Sequence, residues 1–277
     1  GGSFREIDLQ SEAQREQALR RFAEAGSNPI VMAGFAFADA LGQVAADYPD
    51  TKFTIIDMVV EGDNVRSVVF NEHEGSYLVG MMAAMASKSN TVGFIGGMDI
   101  PLIRKFACGY AQGVLAVNPD ATVISNMTGS TPAAWNDPVK GSELTKAQIS
   151  QGADVVYAAA GGTGVGVLQT AADEDILSIG VDSNQNHLHP GKVLTSMTKK
   201  VGNAVFEAFT DGADMETGFS VMGLSNGGVG YAMDEHNASL VSAEMQSAVD
   251  EAAAKIASGE IKVHDYMADD SCPALSF

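Results

Sequence analysis

Cysteine is nearly absent from this chain: Cys108 and Cys272 are the only two among 277 residues. One pair cannot make the disulfide framework of a small secreted fold, and no metal-type cysteine spacing exists. Pairing is left open by the sequence. Cys108, between Ala107 and Gly109 in an apolar segment, reads as a buried thiol. Long hydrophobic runs are missing too. The longest candidate, 77–86, contains Gly80 and falls short of the ~18 residues needed to span a bilayer. Positive charge is scarce: 16 basic residues against 35 acidic ones leave a formal charge of −19. Such a surface repels polyphosphate, which argues against nucleic acid as a partner and against docking on an anionic membrane. No Pro-rich or Gly/Ser-rich tether divides the chain, and no short repeat recurs. The opening Gly1-Gly2-Ser3 lacks an initiator Met, as a processed or truncated chain would, so a missing leader says nothing about compartment.

What is present is a rhythm. Short β-rich runs at 30–32, 53–60, 67–70, 91–95, 122–125, 154–160, 176–181 and 193–197 alternate with helical segments. The helices are expected at 11–25, 74–88, 101–117, 140–151, 165–173, 201–211 and 243–258. Ser11, Glu12 and Gln14 carry capping-box chemistry for the first, Gly26 stops it, and Pro101 opens the third. Strands apolar on both faces are what a parallel sheet covered by helices requires. The alternation predicts βαβ units, an α/β fold, and enough chain for one large unit or two lobes. The tail, 268–277, reads as irregular and frayed.

Ligands of open α/β sheets bind beyond the carboxyl ends of strands. The residues found there are Phe35 and Phe37, Asp57, Met98, Trp135 in a polar loop, Gly161 in a glycine run, Asp182 and Lys199. Aromatics offer flat apolar faces, glycines let backbone approach, carboxylates accept from hydroxyls, and a lysine supplies counter-charge. Phe35 and Phe37 could equally be packing, and Asp57 could cap a turn. Asp182 ends an apolar strand, where an acid without a partner is costly. No nucleophile–base pair stands out, so no enzyme is expected. His187 and His189 could ligate zinc, but spacing supplies no third ligand, and no metal or cofactor is expected. Gly161 to Gly166, followed by a helix and a strand ending in Asp182, is similar to a dinucleotide site. Its glycine register is wrong, since the third glycine would fall at Val167 or Gln169.

Taken in order, five segments resemble one known family. They are Asn71-Glu72-His73-Glu74-Gly75-Ser76-Tyr77-Leu78-Val79-Gly80, Gly93-Phe94-Ile95-Gly96-Gly97-Met98, Phe106-Ala107-Cys108-Gly109-Tyr110, Gly161-Gly162-Thr163-Gly164 and Gly180-Val181-Asp182-Ser183-Asn184-Gln185. The family is that of the basic membrane proteins, substrate-binding lipoproteins of ABC importers that include purine nucleoside receptors. The resemblance runs from about 6 to 266. It implies a type I periplasmic binding fold: two Rossmann-like lobes with parallel sheets, a hinge of three connecting strands, and ligand in the cleft. It also implies a monomer on the periplasmic or extracellular face, lipid-anchored before processing, that hands a nucleoside or nucleobase to a membrane permease. Carried over by motif, Trp135 stacks on the base, Asp182 accepts from ribose hydroxyls, Lys199 is its basic partner, Gly161 is a backbone contact and Asp57 faces the base. Lobe 1 is expected over 1–90, lobe 2 over 91–192, a return to lobe 1 over 193–225, and a crossover with the last helix of lobe 2 over 226–277. The hinge is expected near 87–91, 190–195 and 222–230. One departure is that the strand and helix with which the family opens, ahead of the strand matching 5–9, are missing. A sugar-binding protein and, less well supported, an NAD-dependent oxidoreductase are the competing readings.

Overall fold

The computed structural model describes residues 3–7, 9 and 11–277, with backbone only for residue 12. In chain order the first elements are α1 (Arg15–Glu24), β1 (Ile30–Ala33), α2 (Ala38–Val44), β2 (Phe53–Ile56), β3 (Val65–Phe70) and α3 (Glu72–Ala86). Then come β4 (Thr91–Met98), α4 (Pro101–Val117), β5 (Thr122–Gly129), α5 (Pro138–Ser150), β6 (Val155–Ala159), α6 (Thr163–Asp173) and β7 (Leu177–Asp182). The chain ends with β8 (Val193–Lys199), α7 (Val201–Asp211), β9 (Gly218–Met222), β10 (Val229–Tyr231) and α8 (Ala243–Ala257).

These elements form two compact units. One takes the chain through Phe70 together with Val201–Met222; the other takes Asn71–Lys200 and Gly223–Phe277. The chain therefore passes between units three times, after Phe70, Lys200 and Met222. The first passage is some 20 residues earlier than the expected lobe boundary at 90. The reason is α3, whose backbone lies against α4. A Cβ added to Gly80 would strike the Tyr110 carbonyl, and one added to Gly109 or Gly113 would strike the backbone of His73 or Tyr77. Small residues let the two helices approach this closely, and that contact draws α3 into the second unit.

The first unit has a parallel four-stranded sheet in the order β1-β2-β3-β9. All four residues of β2 are buried, as a strand covered on both faces requires. Leu19 of α1, Leu41 and Val44 of α2, and Phe53, Ile55 and Val65 of the sheet form its core. The second unit has six strands in the order β10-β8-β7-β6-β4-β5, with only β10 antiparallel to its neighbour. Phe94, Tyr110 and Tyr157 pack ring against ring in its interior, with centroids 5.3 to 6.2 Å apart.

Several expectations are corrected. Cys108 is not a free thiol: it is bonded to Cys272, with Cα atoms 5.7 Å apart. The tail is accordingly held against α4. The Tyr266 and Phe277 rings meet edge to face at 5.2 Å, and the Arg104 guanidinium lies over both. α2, β9 and β10 were not anticipated, because each is short and has little periodicity. Helix α1 starts at Arg15 after a single 3-10 turn, and residue 14 in its cap position makes no side-chain cap bond. The Glu12 side chain invoked for the capping box lies outside the described residues. The expected strand at 5–9 is not formed at residues 3–7 and 9, and residue 8 lies outside the described set.

Candidate functional site

In the second unit β4 to β8 run parallel, so their carboxyl ends share one edge. Along that edge, in sheet order, lie Lys199 closing β8, Asp182 closing β7, the turn at Gly161 after β6, Met98 closing β4, and the turn after β5 that ends in Trp135. Five of the eight residues singled out from sequence are thus gathered on one rim. Asp182 pairs across the ladder with Thr198, which sets it beside the end of β8.

Trp135 is placed by its neighbours' lack of side chains. A Cβ on Gly97 would overlap the indole ring, and one on Gly161 would come within 3.5 Å of it. The ring therefore rests on the bare backbone of two strand ends. Two hydroxyls hold its loop. Thr163, fully buried at the start of α6, donates to the Ala134 carbonyl at 2.8 Å and accepts the Asp137 N–H at 2.7 Å. Thr128 shares its proton between the Gly97 and Ala134 carbonyls at 3.1 and 2.9 Å. Asp137 in turn caps α5 through the Lys140 N–H. One face of the indole is thereby committed to the fold, and its loop is held in place. Gly161 itself has φ of +56°, a turn that suits glycine.

Asp182 is exposed, with φ of +66°. Left-handed backbone at a non-glycine residue costs roughly 1–3 kcal/mol and persists where the surroundings enforce it. Here the enforcing contact is Gln185, whose side-chain oxygen accepts the Val181 N–H at 2.8 Å and closes the turn. The buried Tyr157 lies close enough for the Asp182 and Glu72 charges to add to the effect of burial, which holds its phenol well above the usual range and neutral.

Lys199 is nearly buried. Its ammonium lies 3.0 Å from Glu72 Oε1 and over the Phe106 ring at 5.9 Å from the centroid. Glu72, 1% exposed at the start of α3, also meets the Lys105 ammonium through Oε2 at 3.1 Å, and Lys105 lies 3.5 Å from Asp265. His73 is buried beside this cluster, 4.0 Å from Asp265. Desolvation, then the Lys105 charge, push its imidazole down to about 4, so it is neutral at neutral pH. Sequence reasoning missed Glu72 and Lys105 as site residues. The signal was a carboxylate just ahead of an apolar helix, but the helix was expected to begin two residues later.

The other three candidates are in the first unit. Phe35 and Phe37 form the turn after β1, and Asp57 follows β2. Gly34 donates to the Ile56 carbonyl and Asp57 to that of Val68, so all three sit at the carboxyl edge of that unit's sheet. Phe37 packs against the core and under the Arg15 guanidinium at 5.5 Å, which gives it the packing role. Asp57 has φ of +72°. His187 and His189 join no metal-type cluster among the described residues. In the one such group, Asp234, Glu235 and His236, Glu235 is exposed and the other two are half-buried, and Asp234 is already accepting from Asn184, Asn186 and the His236 N–H.

Comparison with known proteins identifies the family. The family model described as "ABC transporter substrate-binding protein PnrA-like", named Bmp, matches residues 3–266. The chain belongs to the Bmp family. The ABC transporter nucleoside-binding protein BmpA of Lactococcus lactis subsp. cremoris is 34% identical over 252 residues, covering 83% of this chain and 69% of that one. Basic membrane protein A of Borreliella burgdorferi is 32% identical over 256 residues, covering 88% and 73%. A crystal structure of an ABC transporter solute-binding protein from Aeropyrum pernix K1 superimposes with a TM-score of 0.82 at 28% identity, covering 92% of this chain and 82% of that one.

The fold is that of the type I periplasmic binding proteins, and this Bmp chain is a substrate-binding protein of an ABC transporter. Such proteins act outside the cytoplasm, take up a small molecule and serve a membrane permease; the relatives are substrate-binding proteins rather than enzymes. The Cys108–Cys272 bond suits an oxidising compartment. No helix among the described residues is long and apolar enough to cross a membrane. The glycine run at 161–166, which is similar to a dinucleotide turn, has another use here: Gly161 seats the Trp135 ring, and Gly166 lets α6 approach Pro138 at the start of α5.

Proposed function

We propose that this Bmp-family protein captures a nucleoside, a purine one in preference, on the rim formed by Trp135, Gly161, Asp182 and Lys199. The observation that carries the reading is the pairing of a braced indole face with a carboxylate and an ammonium on the same sheet edge. A base is flat and apolar on its faces, and a ribose presents vicinal hydroxyls; the rim has a partner for each. The 34% identity to a nucleoside-binding protein supports the same class.

In this reading the base stacks on Trp135, an interaction that contributes roughly 1–3 kcal/mol per base. Asp182 accepts from ribose hydroxyls. A ligand without them leaves a desolvated carboxylate unmet, at a cost of about 1–3 kcal/mol or more. Lys199, at the end of the neighbouring strand, is the basic partner of this reading. Met98 and the Gly161 backbone line the same rim. Asp57 and Phe35 stand at the carboxyl edge of the first unit's own sheet.

Titration calorimetry with adenosine, guanosine, inosine and their free bases tests the class. Binding with nucleosides favoured over bases is expected. No heat with any of them, or tight binding of a free pentose or hexose instead, would overturn it. Asp182→Ala should weaken nucleosides more than bases; equal losses would remove Asp182 from ribose recognition.

A further inference from the structure

We infer that Glu72 is a positioning residue: it holds the Lys199 ammonium in place at the end of β8, and so sets the selectivity for ribose without touching the ligand. The inference rests on the nucleoside reading of the rim. Glu72 is 1% exposed and sits at the first position of α3. A carboxylate buried to this degree is tolerated only when paired. Its two oxygens are divided: Oε1 meets Lys199 at 3.0 Å, Oε2 meets Lys105 at 3.1 Å.

That division has two consequences. First, the Lys199 side chain, a flexible stem by nature, is gripped from two sides, by Glu72 and by the face of Phe106. Second, Glu72 divides one negative charge between two ammoniums, one of them at the end of the strand that neighbours Asp182. Lys105 is balanced in turn by Asp265 at 3.5 Å, which makes the row Lys199, Glu72, Lys105, Asp265 neutral in sum. Buried ion pairs are often replaceable by apolar side chains without loss of stability. A role in fixing Lys199 accounts for the presence of this one beside a binding edge.

The test compares adenosine and adenine affinities by calorimetry in the full chain. The variants are Glu72→Gln, Lys199→Met, these two combined, and the pair Glu72→Gln with Lys105→Met. The paired variant removes one charge of each sign and guards against simple misfolding of the single one. The expected result is a tenfold or greater loss of adenosine affinity in the paired variant, with adenine changed less than twofold. Adding Glu72→Gln to Lys199→Met should cost nothing further, because Glu72 acts through Lys199. Unchanged adenosine affinity in the paired variant, equal losses for adenosine and adenine, or additive losses with Lys199→Met would overturn the inference. Failure of the wild-type protein to bind adenosine would instead overturn the nucleoside reading on which it rests.

Discussion

His73 makes the second unit sensitive to acid, and the size of the effect follows from its surroundings. The imidazole is buried next to α4, and desolvation together with the Lys105 charge lowers it from its ordinary 6.5 to about 4; Asp265 and Glu72 oppose the shift, and His264 adds to it. Because the folded value is depressed, the unfolded chain takes up this proton first as pH falls below 6.5. Stability contributed by neutral His73 is therefore complete above pH 6.5 and is lost as pH falls toward 4. The slope approaches about 1.4 kcal/mol per pH unit, and the loss between pH 7 and pH 4 comes to roughly 3 kcal/mol. Trp135, the only tryptophan in the chain, lies in the second unit, so urea unfolding followed by its fluorescence reports on that unit. Carboxylates elsewhere also titrate in this range. The informative quantity is thus the difference between wild type and His73→Gln, measured in steps from pH 7 to pH 4. The variant is expected to start less stable and to lose less, the gap closing by roughly 3 kcal/mol. Parallel curves for the two proteins would refute the assignment.

Replacing Trp135 by Ala is expected to weaken nucleosides and free bases alike by roughly 5- to 150-fold, since both lose a stacking partner of about 1–3 kcal/mol; calorimetry reads this directly. Gly97→Val should lower the same affinities with Trp135 intact, because its side chain occupies the space of the indole ring; unchanged binding would show that the ring's seat is immaterial. The disulfide closes a separation of 164 residues, for which chain-entropy reasoning gives about 5 kcal/mol. Thermal unfolding of a Cys272→Ala variant, or of the wild type in excess dithiothreitol, should show a clear drop in midpoint. An unshifted midpoint would mean that the tail's contacts with Arg104 suffice without the bond.

Legibility divided along physical lines. The β4, β6 and β7 runs were readable because a strand covered on both faces is a continuous apolar stretch bounded by glycine or aspartate. Their order in the sheet was not, and neither was the neighbour of Glu72. Lys199 could be placed at a strand end from sequence, but its partner is 127 positions earlier and Lys105 is on a third element. No local periodicity encodes such pairs. The same limit hid the disulfide, since two cysteines 164 residues apart carry no spacing rule. Phe35 and Phe37 were indistinguishable in a Gly-Phe-Ala-Phe turn, and only the contact with the core and with Arg15 gave Phe37 its packing role.

By itself, then, the sequence determined the alternation of strands and helices, the absence of a membrane-spanning helix among its apolar runs, and the residues that close each strand. These depend on interactions within a few positions of chain, where hydrophobic period and turn chemistry act. The tertiary structure decided which strand ends share a rim, that α3 packs with the second unit, that Trp135 lies on two glycines, and that Lys199 is held by a buried glutamate. Those outcomes depend on contacts between distant segments, which exist only once the chain has closed on itself.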